Sequence, residues 1–578
     1  MRFNIWDVIE KVEDWWPWNG KDTEDSVNPD LNPVLLVPGI GGSLINAVNE
    51  KGKSERIWVR LFAADREFRT KLYSLYDRDT GRTESIDKTI TIDIPDDRFG
   101  LYACDILDPS VILRLDAVYY FHDLIKEMLS WGYKEGTTLF GFPYDFRQSN
   151  RLPERMEALK VKLKMMYEAS GGKKVNIVSH SMGGLIIKSF VALHPEFFEQ
   201  YVNTWIAVTV PFQGAPGFIM DCLLTGVEFV KGWQRELFVA KWSMHQLLIE
   251  CPAIYELMAA TNFNWNEIPE LRIWRQRTDN NGLAEIGLEA FGPEDCIDVM
   301  MAALKDNKLD LGNGETIPAP FNKFILEWAM ETRRILETAK LPEGVIFYNV
   351  FGIGFETPLH VCYGCEESPI EILEEILQTE GEFDCVDGDG TVPVESAMAD
   401  QLNAKARVGI PGDHRAILND ERLFRILKHW LKVGDPDPFY DPLNDYVILP
   451  TKAEFEEHKR QLVLFSTQPG ESDEPSDEES GDEDYVSLME KEYVSIIATD
   501  GSAGDIRAEA HARVTRPHPW KQSDSRKENY SIEIDTVGVA EGADAQKTAT
   551  ALDQAVKSAA KEALIANTRG KKTRIFPE

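Results

Sequence analysis

Short, continuous apolar runs alternate with amphipathic segments along much of the chain. The runs are rich in Val, Ile and Leu, which is typical of strands that are buried on both faces. They lie at Val34–Val37, around Thr138–Phe140, and at Val175–Val178, Asn203–Val210 and Val345–Val350. The amphipathic segments, which predict helices, are Phe121–Trp131, Pro153–Ala169 and a last one with Leu423, Leu427, Trp430 and Leu431. Strands that alternate with helices predict an α/β fold with a parallel sheet covered on both faces.

The alternation breaks between Pro211 and about Leu341. This segment is rich in Phe, Leu, Met and Trp, for example in Phe218–Met220 and at Trp233. An apolar insertion of this kind between two sheet strands predicts a mostly helical cap over the functional site, assigned to residues 211–341. A second helical domain with its own core is the alternative, and it is compatible with the same role.

The composition changes again beyond about Phe465. Residues 466–485 are acidic and poor in apolar side chains, which is the composition of a disordered linker. Residues 486–578 follow as a small C-terminal module, to which we assign no chemistry. Within it, strands are predicted over Arg507–Arg516 and Ser531–Val539, and an Ala-rich helix over Ala545–Ala566.

The first thirty residues, 1–30, form an amphipathic segment of their own. Apolar side chains recur there near helical spacing, at Ile5, Trp6, Ile9, Val12, Trp15 and Trp16. Tryptophan favours a membrane interface, whereas the acidic opposite face weakens attraction to lipid. Two alternatives stay open: the segment docks against the body of the protein, or it contacts a membrane.

Acidic residues outnumber basic ones so strongly that the 578-residue chain has a formal net charge of −35. That charge argues against a nucleic-acid partner and against electrostatic docking onto anionic lipid. Part of the excess is local, with nine acids and no base between Glu471 and Asp484. Ser476 and Ser480 each precede a Glu by three residues, so an acidophilic kinase is a candidate partner there. Plain solvation of the linker is the alternative.

Neither a secretory signal nor a membrane span is predicted. Acidic residues interrupt the N-terminal segment where a signal needs an apolar stretch. No run reaches the roughly 18 apolar residues that a membrane helix requires. The seven cysteines are thinly spread, which favours reduced thiols. We therefore expect a soluble cytoplasmic protein whose membrane contact, if any, is peripheral.

Two segments have metal-like spacing, and both lack the necessary ligands. Cys362-x-x-Cys365 has no second Cys or His pair nearby, which argues against zinc. The loop with Asp387 and Asp389, aligned as an EF-hand, places Cys385 and Ser396 where carboxylates are required. We expect no metal and no cofactor.

One serine has the surroundings of a nucleophile. Ser181 lies in Ser179-His-Ser-Met-Gly-Gly184, between the apolar run that ends at Val178 and a helical segment from Leu185. A sharp turn from strand to helix between small residues is the nucleophile elbow of the α/β-hydrolase fold. The pattern usually begins with Gly, and we interpret Ser179 as a tolerated small residue. A chance match in a surface turn is the alternative.

A serine hydroxyl needs a base, and the base needs an orienting acid. Hydrolases of this fold supply them in the order Ser, Asp, His, from loops after later strands. Asp389, in a glycine-rich loop, is the best acid, with Asp387 as the alternative. His414, 25 residues later on a loop before the last helix, is the best base. His180 is too close to the elbow to act as the base, and we expect it to pack beneath the turn.

Two backbone N–H groups are needed to stabilise the oxyanion of an acyl-transfer reaction. The first is expected from Met182, the residue after the nucleophile. The second is expected from the glycine-rich loop after the first strand, where Ile40 is our prediction and Gly41 the alternative. Glycines that merely make a turn are compatible with that role.

Together, five motifs resemble the lecithin:cholesterol acyltransferase family, which includes lysosomal phospholipase A2 and phospholipid:diacylglycerol acyltransferases. They occur in the family's order within about residues 31–435, and the chain is most similar to plant cytosolic phospholipase-type members. The motifs are Leu36-Val-Pro-Gly39, Tyr144-Asp-Phe-Arg147, Ser179–Gly184, Asp387–Val392 and the loop around His414. Secreted members staple the lid with a disulfide, whereas no cysteine precedes Cys104 here. The behaviour of the lid therefore stays open.

The resemblance implies a capped α/β-hydrolase whose core comprises residues 31–210 and 342–465. Its triad matches Ser181, Asp389 and His414, and its oxyanion hole matches Ile40 and Met182, whereas the motif with Asp145 and Arg147 is structural in the family.

The implied function is a phospholipase A type hydrolase that cleaves acyl esters of glycerophospholipids through an acyl-enzyme. Phospholipid-dependent transfer to a sterol or diacylglycerol is the alternative, because both reactions share every catalytic residue. A non-catalytic lipid-binding scaffold and a soluble hydrolase of small esters are further alternatives. The expected partners are phospholipid at a membrane or lipid surface and, for transfer, an acceptor alcohol.

Overall fold

The computed structural model describes residues 31–59, 68–107, 119–227, 240–278, 284–311 and 314–434, and the backbone of three strands beyond them. The chain divides into two compact units, residues 1–466 and 467–578. The predictions for the N-terminal segment, the acidic linker and the Ala-rich helix lie outside the described residues.

The first unit contains both strands and helices, and the described residues of the second unit form three strands. The strands are β1 Val34–Val37, β2 Ile45–Asn49, β3 Ser54–Trp58, β4 Ser74–Asp77, β5 Arg82–Ser85, β6 Ile90–Asp93, β7 Leu139–Gly141, β8 Val175–His180, β9 Val202–Val208, β10 Leu271–Thr278, β11 Ala284–Phe291, β12 Lys308–Asp310, β13 Thr316–Pro318, β14 Ile346–Ile353, β15 Phe355–Tyr363, β16 Glu382–Gly388, β17 Ala406–Pro411, β18 Val494–Asp500, β19 Asp505–Pro517 and β20 Asn529–Glu541. The α-helices are α1 Tyr102–Asp105, α2 His122–Ser130, α3 Pro153–Ala169, α4 Gly183–Leu193, α5 Pro195–Tyr201, α6 Pro216–Leu224, α7 Lys241–Leu248, α8 Pro252–Tyr255, α9 Cys296–Ala303, α10 Lys323–Thr338, α11 Val394–Met398 and α12 Glu421–Trp430.

A six-stranded sheet, in the order β17-β14-β9-β8-β1-β7, forms the centre of the first unit. All of its pairings are parallel, which confirms the parallel sheet predicted from the apolar runs. Every residue of β1 and β8 is buried, as expected for strands with helices on both faces. Parallel strands end at one edge of the sheet, so the loops after β1, β8 and β17 converge there.

A second sheet, in the order β11-β10-β15-β16, was not predicted. It joins two strands of the segment 211–341 to two strands that follow it, so the insertion is not a separate helical layer. The first strand of the segment does carry a signal, because Leu271 and Ile273 are buried while the intervening Arg272 is half-exposed. The prediction of a mostly helical cap was therefore incomplete: the described residues of this segment form five helices and also four strands.

The described residues also form smaller sheets. β2 pairs with β3 and β6, β4 with β5, and β12 with β13. Helix α10, the longest described helix of the insertion, has Asn322 as its N-cap, and the Asn322 side chain accepts hydrogen bonds from the N–H groups of Phe324 and Ile325. In the second unit, β18, β19 and β20 form an antiparallel sheet, and two of them cover the strands predicted there.

Among the helices of the described residues, none has the length and apolar character needed to cross a membrane.

Candidate active site

Ser181 lies at the sharp turn between β8 and α4. Its backbone φ is +53°, a conformation that a non-glycine residue adopts only where the surroundings enforce it. The two following glycines leave no room for a side chain: a Cβ on Gly183 would lie 2.4 Å from the carbonyl oxygen of Pro38, and one on Gly184 would lie 2.2 Å from a Val210 methyl. The close approach of strand and helix therefore explains why small residues follow the serine.

Ser181, His414 and Asp389 form a continuous series of hydrogen bonds. The Ser181 Oγ lies 2.9 Å from His414 Nε2, and His414 Nδ1 lies 2.7 Å from Asp389 Oδ2. Because the carboxylate only accepts, Nδ1 carries the proton and the Nε2 lone pair faces the serine hydroxyl. The structure thus brings together three residues that are separated by up to 233 positions in the chain.

The carboxylate of Asp389 is buried and held at both oxygens. Its Oδ1 accepts hydrogen bonds from the N–H groups of Thr391 at 3.0 Å and Val392 at 2.7 Å, which leaves Oδ2 for the histidine. The adjacent Gly390 N–H donates to Thr357 Oγ1 of β15 at 2.8 Å. The alternative acid, Asp387, is exposed and accepts from the Gly354 N–H instead. The geometry therefore favours Asp389.

The acid changes the protonation behaviour of the histidine. Burial lowers the pKa of His414, but the charge of Asp389 and its hydrogen bond, together with the charge of Asp413, outweigh burial. The pKa of His414 is consequently raised above its ordinary value of 6.5. A raised pKa makes neutral His414 a stronger acceptor of the serine proton. It also means that a larger fraction of His414 is already protonated, and therefore inactive as a base, at a given pH.

The two expected oxyanion donors have uncommitted N–H groups. Among the described residues, neither the Ile40 nor the Met182 N–H has a hydrogen-bond acceptor. The loop approaches the nucleophile closely, because a Cβ on Gly39 would lie 2.6 Å from the Ser181 Cβ. Gly41, with a φ of +69°, has a carbonyl that accepts from Trp58 Nε1 at 2.9 Å. Ile40 and Gly41 both stay candidates for the second donor.

His180 does lie beneath the turn as expected, but it makes contacts that the sequence analysis missed. Its Nδ1 lies 2.6 Å from the Tyr120 hydroxyl oxygen, and its Nε2 lies 2.8 Å from the His414 carbonyl oxygen. Burial, followed by the nearby His414, lowers the pKa of His180 well below 6.5. The partners lie 60 and 234 positions away in the chain, so no local pattern could have indicated them.

A largely apolar cavity opens at Ser181 and His414. Its empty volume, including the open mouth, is about 1020 Å³. The segment 211–341 supplies much of the wall, with Ala215, Phe218, Ile219, Cys222, Val227, Met244, Leu248, Ile254 and Leu257. An apolar cavity beside a hydrogen-bonded serine is suited to hold an alkyl chain while its ester carbonyl lies at the hydroxyl.

Comparison with known proteins gives consistent results. The lecithin:cholesterol acyltransferase family model matches residues 58–309. The chain is 49% identical to lecithin-cholesterol acyltransferase-like 4 of Arabidopsis thaliana, over 93% of this chain and 99% of the relative. It is 52% identical to phospholipase A(1) LCAT3 of the same plant, over 72% of this chain and 95% of the relative.

Two more distant similarities were also found. The human lysosomal phospholipase A and acyltransferase is 26% identical, over 36% of this chain and 53% of the relative. Among solved structures, the Tle4-Tli4 complex contains a chain that is 14% identical, with a TM-score of 0.40 over 70% of this chain and 98% of that chain. The latter likeness is too low to support an argument.

Proposed function

The chain belongs to the lecithin:cholesterol acyltransferase family, and from this premise we propose that it is a serine-dependent phospholipase A. It would cleave fatty acyl esters of glycerophospholipids through an acyl-enzyme on Ser181. The observation that carries the proposal is the hydrogen-bonded series of Ser181, His414 and Asp389 at an apolar cavity. A fold retained only for binding would not require all three side chains in this arrangement.

The first half of the reaction forms the acyl-enzyme. The Ser181 Oγ attacks the ester carbonyl carbon while its proton passes to His414 Nε2, and the carbonyl oxygen becomes an oxyanion. The N–H groups of Met182 and Ile40 donate to that oxyanion. When the tetrahedral intermediate collapses, the bond to the glycerol oxygen breaks, and the proton on Nε2 passes to that oxygen. Asp389 keeps Nδ1 protonated and stabilises the charged ring.

The second half decides between hydrolysis and transfer. Water loses a proton to His414 Nε2 and adds to the acyl carbon, after which Ser181 leaves and recovers the proton. An alcohol in the place of water would give a new ester with the same proton movements. We favour hydrolysis because the 52% identical relative is named phospholipase A(1). The same name leads us to propose that this chain cleaves the ester at the sn-1 position. Transfer is the second candidate, because the lysosomal relatives are named for both activities.

The test uses phosphatidylcholine vesicles with different labels on the two acyl chains, with and without sterol or diacylglycerol. Labelled free fatty acid that disappears in Ser181→Ala would establish a phospholipase, and the label would identify the position. Label that moves into a new ester only when the alcohol is present would establish an acyltransferase. If well-folded protein gave neither product, a lipid-binding scaffold would replace the enzymatic proposal.

A matched assay addresses the surface on which the enzyme works. An apolar cavity predicts faster turnover of phospholipid in vesicles than of monomeric short-chain esters at equal ester concentration. Equal or slower turnover of vesicles would favour the small-ester hydrolase. The cytoplasmic location and the peripheral nature of membrane contact stay predictions.

A further inference from the structure

Four hydrogen-bonding groups, from Gly39, Tyr120, His180 and His414, link the loop after β1 to the loop after β17. The Gly39 N–H lies 2.7 Å from the Tyr120 hydroxyl oxygen, which lies 2.6 Å from His180 Nδ1. On the other side of the ring, His180 Nε2 lies 2.8 Å from the carbonyl oxygen of His414. Tyr120 is 6% exposed and His180 is 2% exposed, so water does not compete for these contacts.

The proton positions along this chain of groups follow from simple chemistry. A carbonyl oxygen only accepts, so His180 must carry a proton on Nε2. Burial holds the pKa of His180 well below 6.5, so the ring is neutral and Nδ1 is a lone-pair acceptor. The Tyr120 O–H therefore donates to Nδ1, and its oxygen accepts from the Gly39 N–H. Each donor has one acceptor, so the direction of hydrogen-bond donation is defined for all three hydrogen bonds.

The two ends of this hydrogen-bonded series lie next to the proposed oxyanion donor and the proposed base. Gly39 immediately precedes Ile40, the expected oxyanion donor, and His414 supplies the base through its side chain. His180 itself immediately precedes Ser181. Because oxyanion donors and base must be placed to within a fraction of an ångström, a rigid connection between their loops has a direct catalytic value.

We infer that Tyr120 and His180 are positioning residues, which hold the oxyanion loop and the His414 loop in register about Ser181. This inference rests on the proposed function. Simple packing beneath the turn does not account for the arrangement, because an apolar side chain of similar volume would fill the same space. Such an apolar side chain would, however, leave the Gly39 N–H and the His414 carbonyl without their hydrogen-bond partners.

Tyr144 provides a matched control, because its hydroxyl also contacts the loop after β1. Its buried hydroxyl donates to the Pro38 carbonyl oxygen at 2.8 Å, one residue before Gly39, but it does not connect to a histidine. Tyr120→Phe and Tyr144→Phe each remove one buried hydroxyl that contacts the loop after β1. Loss of stability should therefore be comparable, whereas loss of catalysis should not be.

The experiment measures kcat and KM on a monomeric ester, the acylation rate with a fluorophosphonate, and thermal unfolding. We expect Tyr120→Phe to lower kcat by about 10- to 100-fold with little change in KM, because the lost arrangement serves the transition state. Tyr144→Phe should stay within about threefold of wild type. His180→Gln, which keeps a donor for the His414 carbonyl, should retain more activity than His180→Leu, which has neither donor nor acceptor.

Each outcome has a separate meaning. Equal kcat for Tyr120→Phe and Tyr144→Phe, or equal activity of the Gln and Leu variants at His180, would overturn the inference. A KM effect with unchanged kcat would also overturn it. If wild-type protein showed no turnover and no fluorophosphonate labelling that depends on Ser181, the proposed function would fail instead.

Discussion

The six-stranded parallel sheet and the four-stranded mixed sheet contribute different parts of one site. The parallel sheet carries Ser181 after β8 and His414 after β17, on strands that are almost wholly buried. The mixed sheet carries Asp389 directly after β16, whose residues are mostly exposed. The proposed nucleophile and base therefore belong to the buried parallel sheet, whereas the proposed acid follows a strand that is mostly exposed.

This difference indicates that the proposed acid depends on packing between two sheets. Asp389 reaches His414 because its loop is fastened to β15 through Thr357 and because the His414 N–H donates to the Asp389 carbonyl oxygen at 2.7 Å. Changes in the mixed sheet should accordingly affect the strength of the base, and changes in the parallel sheet should affect the nucleophile.

The largest effect is expected from removal of the acid. Asp389→Asn should lower kcat by about 10⁴-fold, because an amide can donate to His414 Nδ1 and impose the wrong tautomer. Asp387→Asn, on the same loop, should change kcat by less than about threefold because that carboxylate is exposed and contacts the Gly354 N–H. Kinetics on a labelled phospholipid would measure both. Similar losses in the two variants would contradict our assignment of the acid.

The pH dependence of kcat/KM should reveal the effect of the Asp389 charge on the pKa of His414. Activity needs neutral His414, so kcat/KM should fall with decreasing pH through a pKa above the ordinary value of 6.5. In Asp389→Asn the charge that opposes burial is absent, so the acid limb should move to lower pH. Asp413→Asn should move it in the same direction but less, since Asp389 contributes more to the raised pKa. An unchanged limb in both variants would show that another group governs it.

A buried threonine tests how the mixed sheet holds the acid loop. Thr357→Val removes the acceptor of the Gly390 N–H and should lower kcat by about tenfold with KM unchanged. Thr204→Val, at an equally buried position in β9 and bonded to Asn203, is the control and should have little effect on kcat. Equal kcat values would show that the loop keeps its place without Thr357.

The smallest effect concerns stability in the parallel sheet. Ser181→Gly should be more stable than Ser181→Ala by about 1 kcal/mol, since glycine adopts the positive φ of this turn without strain. Denaturant unfolding of both inactive variants measures the difference. A glycine variant that is no more stable than the alanine variant would show that the turn stores little strain.

The parallel sheet and its serine could be predicted because their signals are local. Continuous apolar runs mark strands buried on both faces, and the residues around Ser181 are consecutive in the chain. Helix α3 begins and ends where its pattern predicts, at Pro153 and Ala169. The loops with Asp389 and His414 were found from their order in the chain, while their roles stay predictions.

The mixed sheet could not be predicted in the same way. β11 and β16 lie at its edges and are exposed along most of their length, so burial imposes no apolar pattern on them. The role of Tyr120 was missed for a different reason. Its contact with His180 joins two distant parts of the chain, and only the folded arrangement reveals it.

The separation of Ser181 from His414 by 233 residues also has a consequence in time. At a synthesis rate of roughly 5–20 residues per second, the serine leaves the ribosome about 12–47 s before the histidine. Strand β17, which carries the histidine loop, is also the last of the six central strands to be made. A nascent chain therefore contains Ser181 well before the residue that we propose as its base, and under our proposal activity arises only when the first unit is nearly complete.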